Sequence, residues 1–176
     1  DHREVLMDIL GIDTEPSQPK VDHGVSFKMI PEFEEKVLEH REGHYVVQDW
    51  MGAVTEISDE FDYTYIRSAI DFVTRKWHKF PVENREDWEA MKLRYDPASS
   101  DRFPEDFDGR GDLLRDRDYV VGVHFNGPFW QLREWLGFEN LCEMTLTQAE
   151  FIIEMVTFWT EFVSRTLSAL SARVEP

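Results

Sequence analysis

In residues 119–138, YVVGVHFNGPFWQLREWLGF, a β-branched apolar run meets a Gly-Pro bend and passes at once into helix-patterned tryptophans. No other stretch of the chain restricts the fold as much. Residues 119–124 read as a buried strand, the Gly-Pro pair bends the chain toward a helix, and Gly137 supplies that helix's stop. A longer helix is expected from Thr147, where TQAE has the form of a capping box with Glu150. Along it Ile152, Met155, Val156, Trp159, Phe162, Val163 and Leu167 make a wide apolar face that must pack against something large. Strand, short bend, helix, longer helix is the logic of an α/β protein with a parallel sheet. One strand cannot satisfy such a sheet. Residues 101–176 are therefore expected to be a βα unit plus long helix within a larger fold.

Residues 1–100 read as a helix-and-hairpin region of the same segment. Val5, Leu6, Ile9 and Leu10 share one side of a short first helix that Gly11 ends, and a proline-bearing loop follows. A second helix is expected after Pro31, with Phe33, Val37 and Leu38 at helical spacing. HYVVQDW and AVTEI, separated by Met51-Gly52, read as a β-hairpin. The aromatic and β-branched stretch after it allows a strand near 61–66. Asn84 is placed to cap a helix carrying Trp88, Met91 and Tyr95, which Asp96-Pro97 ends. RFPEDFDGRGDLLRDRD is a charged connector with room for one short helix, and its acids lack the spacing of a calcium loop.

Acidic residues outnumber basic ones 36 to 19, for a net charge of −17. Such a surface disfavours nucleic acid and anionic membranes and keeps a protein soluble. No apolar run is long enough for a membrane span, and DHREVLMDIL lacks the apolar core of a secretory signal. Cys142 is the single cysteine, so no intrachain disulfide forms and a cytoplasmic setting is expected. The His residues show no metal-binding spacing.

At the C-terminal end of a strand in a βα fold, the bend toward the helix is where ligands bind. His124, Asn126, Gly127, Phe129 and Trp130 occupy that place. His124 offers a donor, an acceptor or a metal-ligating nitrogen, and Asn126 both a donor and an acceptor. Gly127 lets a ligand approach the backbone, while Phe129 and Trp130 offer pocket walls. The alternative is purely structural: Gly and Pro to bend the chain, aromatics to fill the core, and His124 as a hydrogen-bonded interior residue.

VGVHFNGPFWQLREWLGFENL, with IPEFEEKVLEH, YVVQDWMGAVTEI and FPVENREDWEAMKLRYDP before it, resembles the uroporphyrinogen decarboxylase superfamily. The likeness is to its uncharacterised branch beside the corrinoid-dependent methyltransferases, and it extends over residues 11–173. It implies the N-terminal and central part of a (βα)8 TIM barrel about twice this length. It also implies methyl transfer between a corrinoid and a small acceptor, with zinc and a corrinoid as cofactors of the complete barrel. The zinc ligands would lie beyond this segment, and Cys142 does not match them. The decarboxylases carry R-Q-A-G-R-Y-L-P-E-F, whose arginines hold substrate carboxylates. Here GVSFKMIPEF puts Gly24 and Lys28 at those two positions, and Lys28 is a point charge in place of a bidentate fork.

Three expectations follow. The first is a methyl-transferring barrel segment whose ligand contacts are His124, Asn126, Gly127, Phe129, Trp130 and Lys28, with a corrinoid protein or self-association as partner. The second is a tetrapyrrole-acid decarboxylase, which the missing arginines argue against. The third is a non-catalytic, truncated or partner-completed subunit with the apolar face of the last helix as its interaction surface.

Overall fold

The computed structural model describes residues 2–11, 19–60 and 75–174. Its sheet has four antiparallel strands in the order β1-β2-β3-β4: β1 Lys36–Arg41, β2 His44–Gln48, β3 Val54–Ser58 and β4 Lys76–Lys79. Six α-helices are described: α1 His2–Leu10, α2 Arg85–Lys92, α3 Phe107–Arg115, α4 Pro128–Leu136, α5 Phe138–Thr147 and α6 Ala149–Ser171. None is long and apolar enough to cross a membrane.

This architecture corrects the expectation of a partial (βα)8 barrel. The sheet is open and antiparallel, and residues 119–127 form no strand. A strand needs a neighbour for its backbone N–H and C=O groups. β1–β4 pair with one another, and the 119–127 run is irregular backbone without a ladder. Val120 there is 94% exposed, Val123 packs on the core, and the Trp159 Nε1–H binds the Asn126 carbonyl at 2.9 Å.

The helix expected after Pro31 is also corrected. EEKVLEHR favours helix locally, but Lys36–Arg41 pairs with Gln48–His44 as β1. Glu42 and Gly43, both at positive φ, make the two-residue turn that lets the pairing win. The predicted hairpin is β2–β3, in the register Val47↔Thr55. Asp49 organises its loop: Oδ1 accepts from the Met51 N–H at 3.0 Å and the Ala53 N–H at 2.9 Å, and Gly52 takes φ 89°. The strand expected near 61–66 lies outside the described residues.

Local signals set the helices well. Asn84 caps α2 by accepting from the Asp87 N–H, Pro128 opens α4, and Gly137 closes it at φ 79°. The capping box at Thr147 does not form. α5 runs through that residue, whose hydroxyl donates to the Glu143 carbonyl, and α6 starts after Gln148 without a side-chain cap. The buried face of α6 centres on Phe151, Met155, Trp159, Phe162, Thr166 and Leu170, leaving Ile152, Val156 and Leu167 at its margin. That face is covered within the chain. Tyr95 meets Trp135, Trp159 and Phe162 edge-on at 5.4, 5.6 and 5.3 Å, and Trp88 and Trp135 are wholly buried.

Candidate functional site

The sheet and the α4–α5 corner enclose a cleft of about 660 Å³, a volume usual for small-molecule sites. Trp50 and Met51 of the β2–β3 loop line one side, with Arg75, Trp77, His78, Lys79 and Phe80 along β4. Trp130, Arg133 and Glu134 of α4 and Phe138, Glu139 and Asn140 of α5 line the other. A second cavity of about 390 Å³ lies beside it, lined by Lys28, His124, Asn126, Gln131 and others. Trp50 and Glu134 belong to both.

The corner exists because α4 stops at Gly137. A side chain there would run into the Phe80 ring, so α4 and α5 can close on the end of β4 only with glycine at that position. The Val82 N–H donates to the Trp135 carbonyl at 3.0 Å, which ties the exit of β4 to α4.

Glu134 is the chemical centre. Its Oε2 accepts from the Asn126 side-chain amide at 2.9 Å, and its Oε1 from the Trp130 Nε1–H at 3.1 Å. Burial raises its pKa above the usual carboxylate range; these two donors and Arg133 oppose that, and Asp49 adds to it. Asn126 also donates to the Gln131 Oε1 at 3.1 Å, and Gln131 in turn donates to the Tyr95 hydroxyl at 3.3 Å. Burial holds the Tyr95 hydroxyl neutral, its pKa pushed up to about 12. The network joins cleft to core, which fixes the Glu134 carboxylate in place.

Next to Trp50, Asp49 is 3% exposed, and among the described residues its Oδ2 has no hydrogen-bond partner. Burial raises its pKa, against the backbone donors of its own loop and the charge of Arg75. The Arg75 Nη1 is likewise buried and, among the described residues, without a hydrogen-bond partner.

The residues singled out from sequence divide. Lys28, His124 and Asn126 line the smaller cavity, and Trp130 lines the larger. The Lys28 ammonium stands 5.7 Å from the centre of the Trp50 ring. Phe129 lies outside both linings, 58% exposed and edge-on to Phe138. Gly127 is the N-cap of α4, with open space where a side chain would stand. With no strand over 119–124, His124 is not at a strand end but in an irregular stretch.

Glu134, Asp49 and Arg75 were not anticipated. Glu134 had a legible signal, since it follows Trp130 by four positions and shares its helix face. Asp49 had a weaker one, an Asp ahead of a glycine turn. Arg75 had none. Among the described residues no three His, Cys, Asp or Glu side chains converge to hold a metal ion. Comparison with family models, curated proteins and solved structures finds no match for this chain.

Proposed function

We propose that this chain binds a small planar organic molecule in the cleft between β4 and the α4–α5 corner, with Glu134 fixed at the centre of the cleft wall. The observation that carries this is the placement of Glu134: a desolvated, network-held carboxylate on the wall common to two adjoining cavities. Trp50, Trp77 and Trp130 supply flat apolar surface around it, the usual make-up of an organic-ligand pocket. Such binding requires no barrel. Methyl transfer and decarboxylation rest on the family resemblance alone, and neither is drawn from the cleft.

A proton-transfer role for Glu134 is a second reading, favoured by its pKa shift. A carboxylate whose pKa burial raises, held in a cleft by fixed donors, is a candidate for proton exchange with a bound molecule.

The test uses the tryptophans. Trp50, Trp77 and Trp130 line the cleft, while Trp88 and Trp135 are core. In a small-molecule screen read by indole N–H signals in ¹H–¹⁵N spectra, cleft binders shift the first three and leave the core pair still. Hits that consistently move other signals, or a screen that moves none, would reject the proposal.

A further inference from the structure

We infer that the larger cavity is built for a planar organic anion, with the guanidinium groups of Arg75 and Arg133 as its recognition pair. This rests on the cleft being a ligand site and specifies what it takes.

The first ground is charge placement. The chain carries 36 acidic and 19 Lys or Arg residues, yet three of each line this cavity: Arg75, Lys79 and Arg133 against Glu83, Glu134 and Glu139. The acids are partly engaged. Glu83 stands 3.7 Å from Lys79, and Glu134 is held by Asn126 and Trp130.

The second ground is how the arginines are held. Arg75 lies 4.9 Å from the centre of the Trp77 ring, and Arg133 4.5 Å from that of Trp130. A guanidinium placed against an indole is oriented by the ring and keeps in-plane N–H donors for a carboxylate or phosphate fork. Among the described residues the Arg75 Nη1 has no hydrogen-bond partner, and Asp49 is the carboxylate whose charge acts on this guanidinium.

The third ground excludes the opposite ligand. Aromatic walls elsewhere hold organic cations against ring faces. Here Trp50, Trp77 and Trp130 each already carry one of the chain's own cations: Lys28, Arg75 and Arg133. Phe80 is also stacked on Trp77, with centres 5.0 Å apart. An incoming cation would compete for those rings and meet like charge.

The probes are three naphthalenes of matched size: 1-naphthaleneacetate, 1-naphthaleneacetamide and 2-(1-naphthyl)ethylamine, titrated calorimetrically into the full chain. The acetate should bind roughly tenfold tighter than the amide, as charge-assisted forks exceed neutral contacts, with the amine weakest. Arg75→Gln and Arg133→Gln should each remove most of the acetate's advantage over the amide, whatever either does to the affinity the two probes share. Circular dichroism melting of each variant establishes that it is folded. If the amine binds tightest, or both arginine variants keep the acetate's advantage, the anion assignment is wrong while the cleft stands. If none binds and Trp50, Trp77 and Trp130 stay unshifted, both the cleft and its assignment fall.

Discussion

Glu134 shows how one residue's environment becomes a measurable property. Burial favours its protonated form, so its folded pKa lies above the unfolded one. The sign of the linkage follows. Its contribution to stability is complete below the ordinary glutamate range and is lost as pH rises through the elevated folded value. Asp49 has the same sign, whereas Glu154, lowered by Arg85 and the Trp88 indole, has the opposite one and loses its contribution as pH falls. The indole N–H signal of Trp130, bonded to Glu134, should therefore titrate with a midpoint above the ordinary glutamate pKa. Across that same interval Glu134→Gln should gain thermal stability relative to the parent chain as pH rises. A midpoint at or below the ordinary value would mean that the two donors outweigh burial.

At the scale of elements, the two hairpin turns differ in what a side chain would meet. Gly43 takes φ 77° with its nearest neighbour 3.9 Å from an added Cβ, while Gly52 takes φ 89° with the Phe33 ring 2.7 Å away. Gly43→Ala should cost only backbone strain, about 1 kcal/mol. Gly52→Ala adds displacement of Phe33 and should cost roughly 2–3 kcal/mol. Urea midpoints of the two variants decide it, and equal losses would show that Phe33 moves freely. These turns also mark what was legible. Asn84, Pro128 and Gly137 act on their own neighbours, so their helix ends could be read from the chain. Thr147 looked equally local, but α5 continued through it, and its hydroxyl turned back to Glu143.

At the scale of the whole molecule, Arg102 joins the parts. It is 1% exposed; its Nε donates to the Asp96 carbonyl, Nη1 to those of Ser26 and Lys28, and Nη2 to that of Arg94. Its guanidinium also lies 4.5 Å from the centre of the Phe162 ring. One side chain thus ties the 24–30 segment, the end of the α2 region and α6 together. Arg102→Met keeps much of the volume but strands these carbonyls, and should cost about 3 kcal/mol or more. Arg102→Lys should rescue little, since one ammonium cannot reproduce the fork. Loss below about 1 kcal/mol in urea unfolding would mean that water replaces the guanidinium.

By itself the sequence determined what depends on neighbours within a few positions: the capped helix at 85–92, the Pro-to-Gly limits of 128–136, the 44–58 hairpin and the apolar stripe of the last helix. Tertiary structure decided what each apolar run pairs with. The 119–124 stretch has strand composition, but a strand is a relation between two segments, and its backbone found none to join. EEKVLEHR has helix composition and became a strand because His44–Gln48 stood two residues away to receive it. The cleft followed the same rule. Lys28, His124, Asn126 and Trp130 could be chosen as chemically able residues, but Arg75, Asp49 and Glu134 gained their roles only when chain folding withdrew water from them.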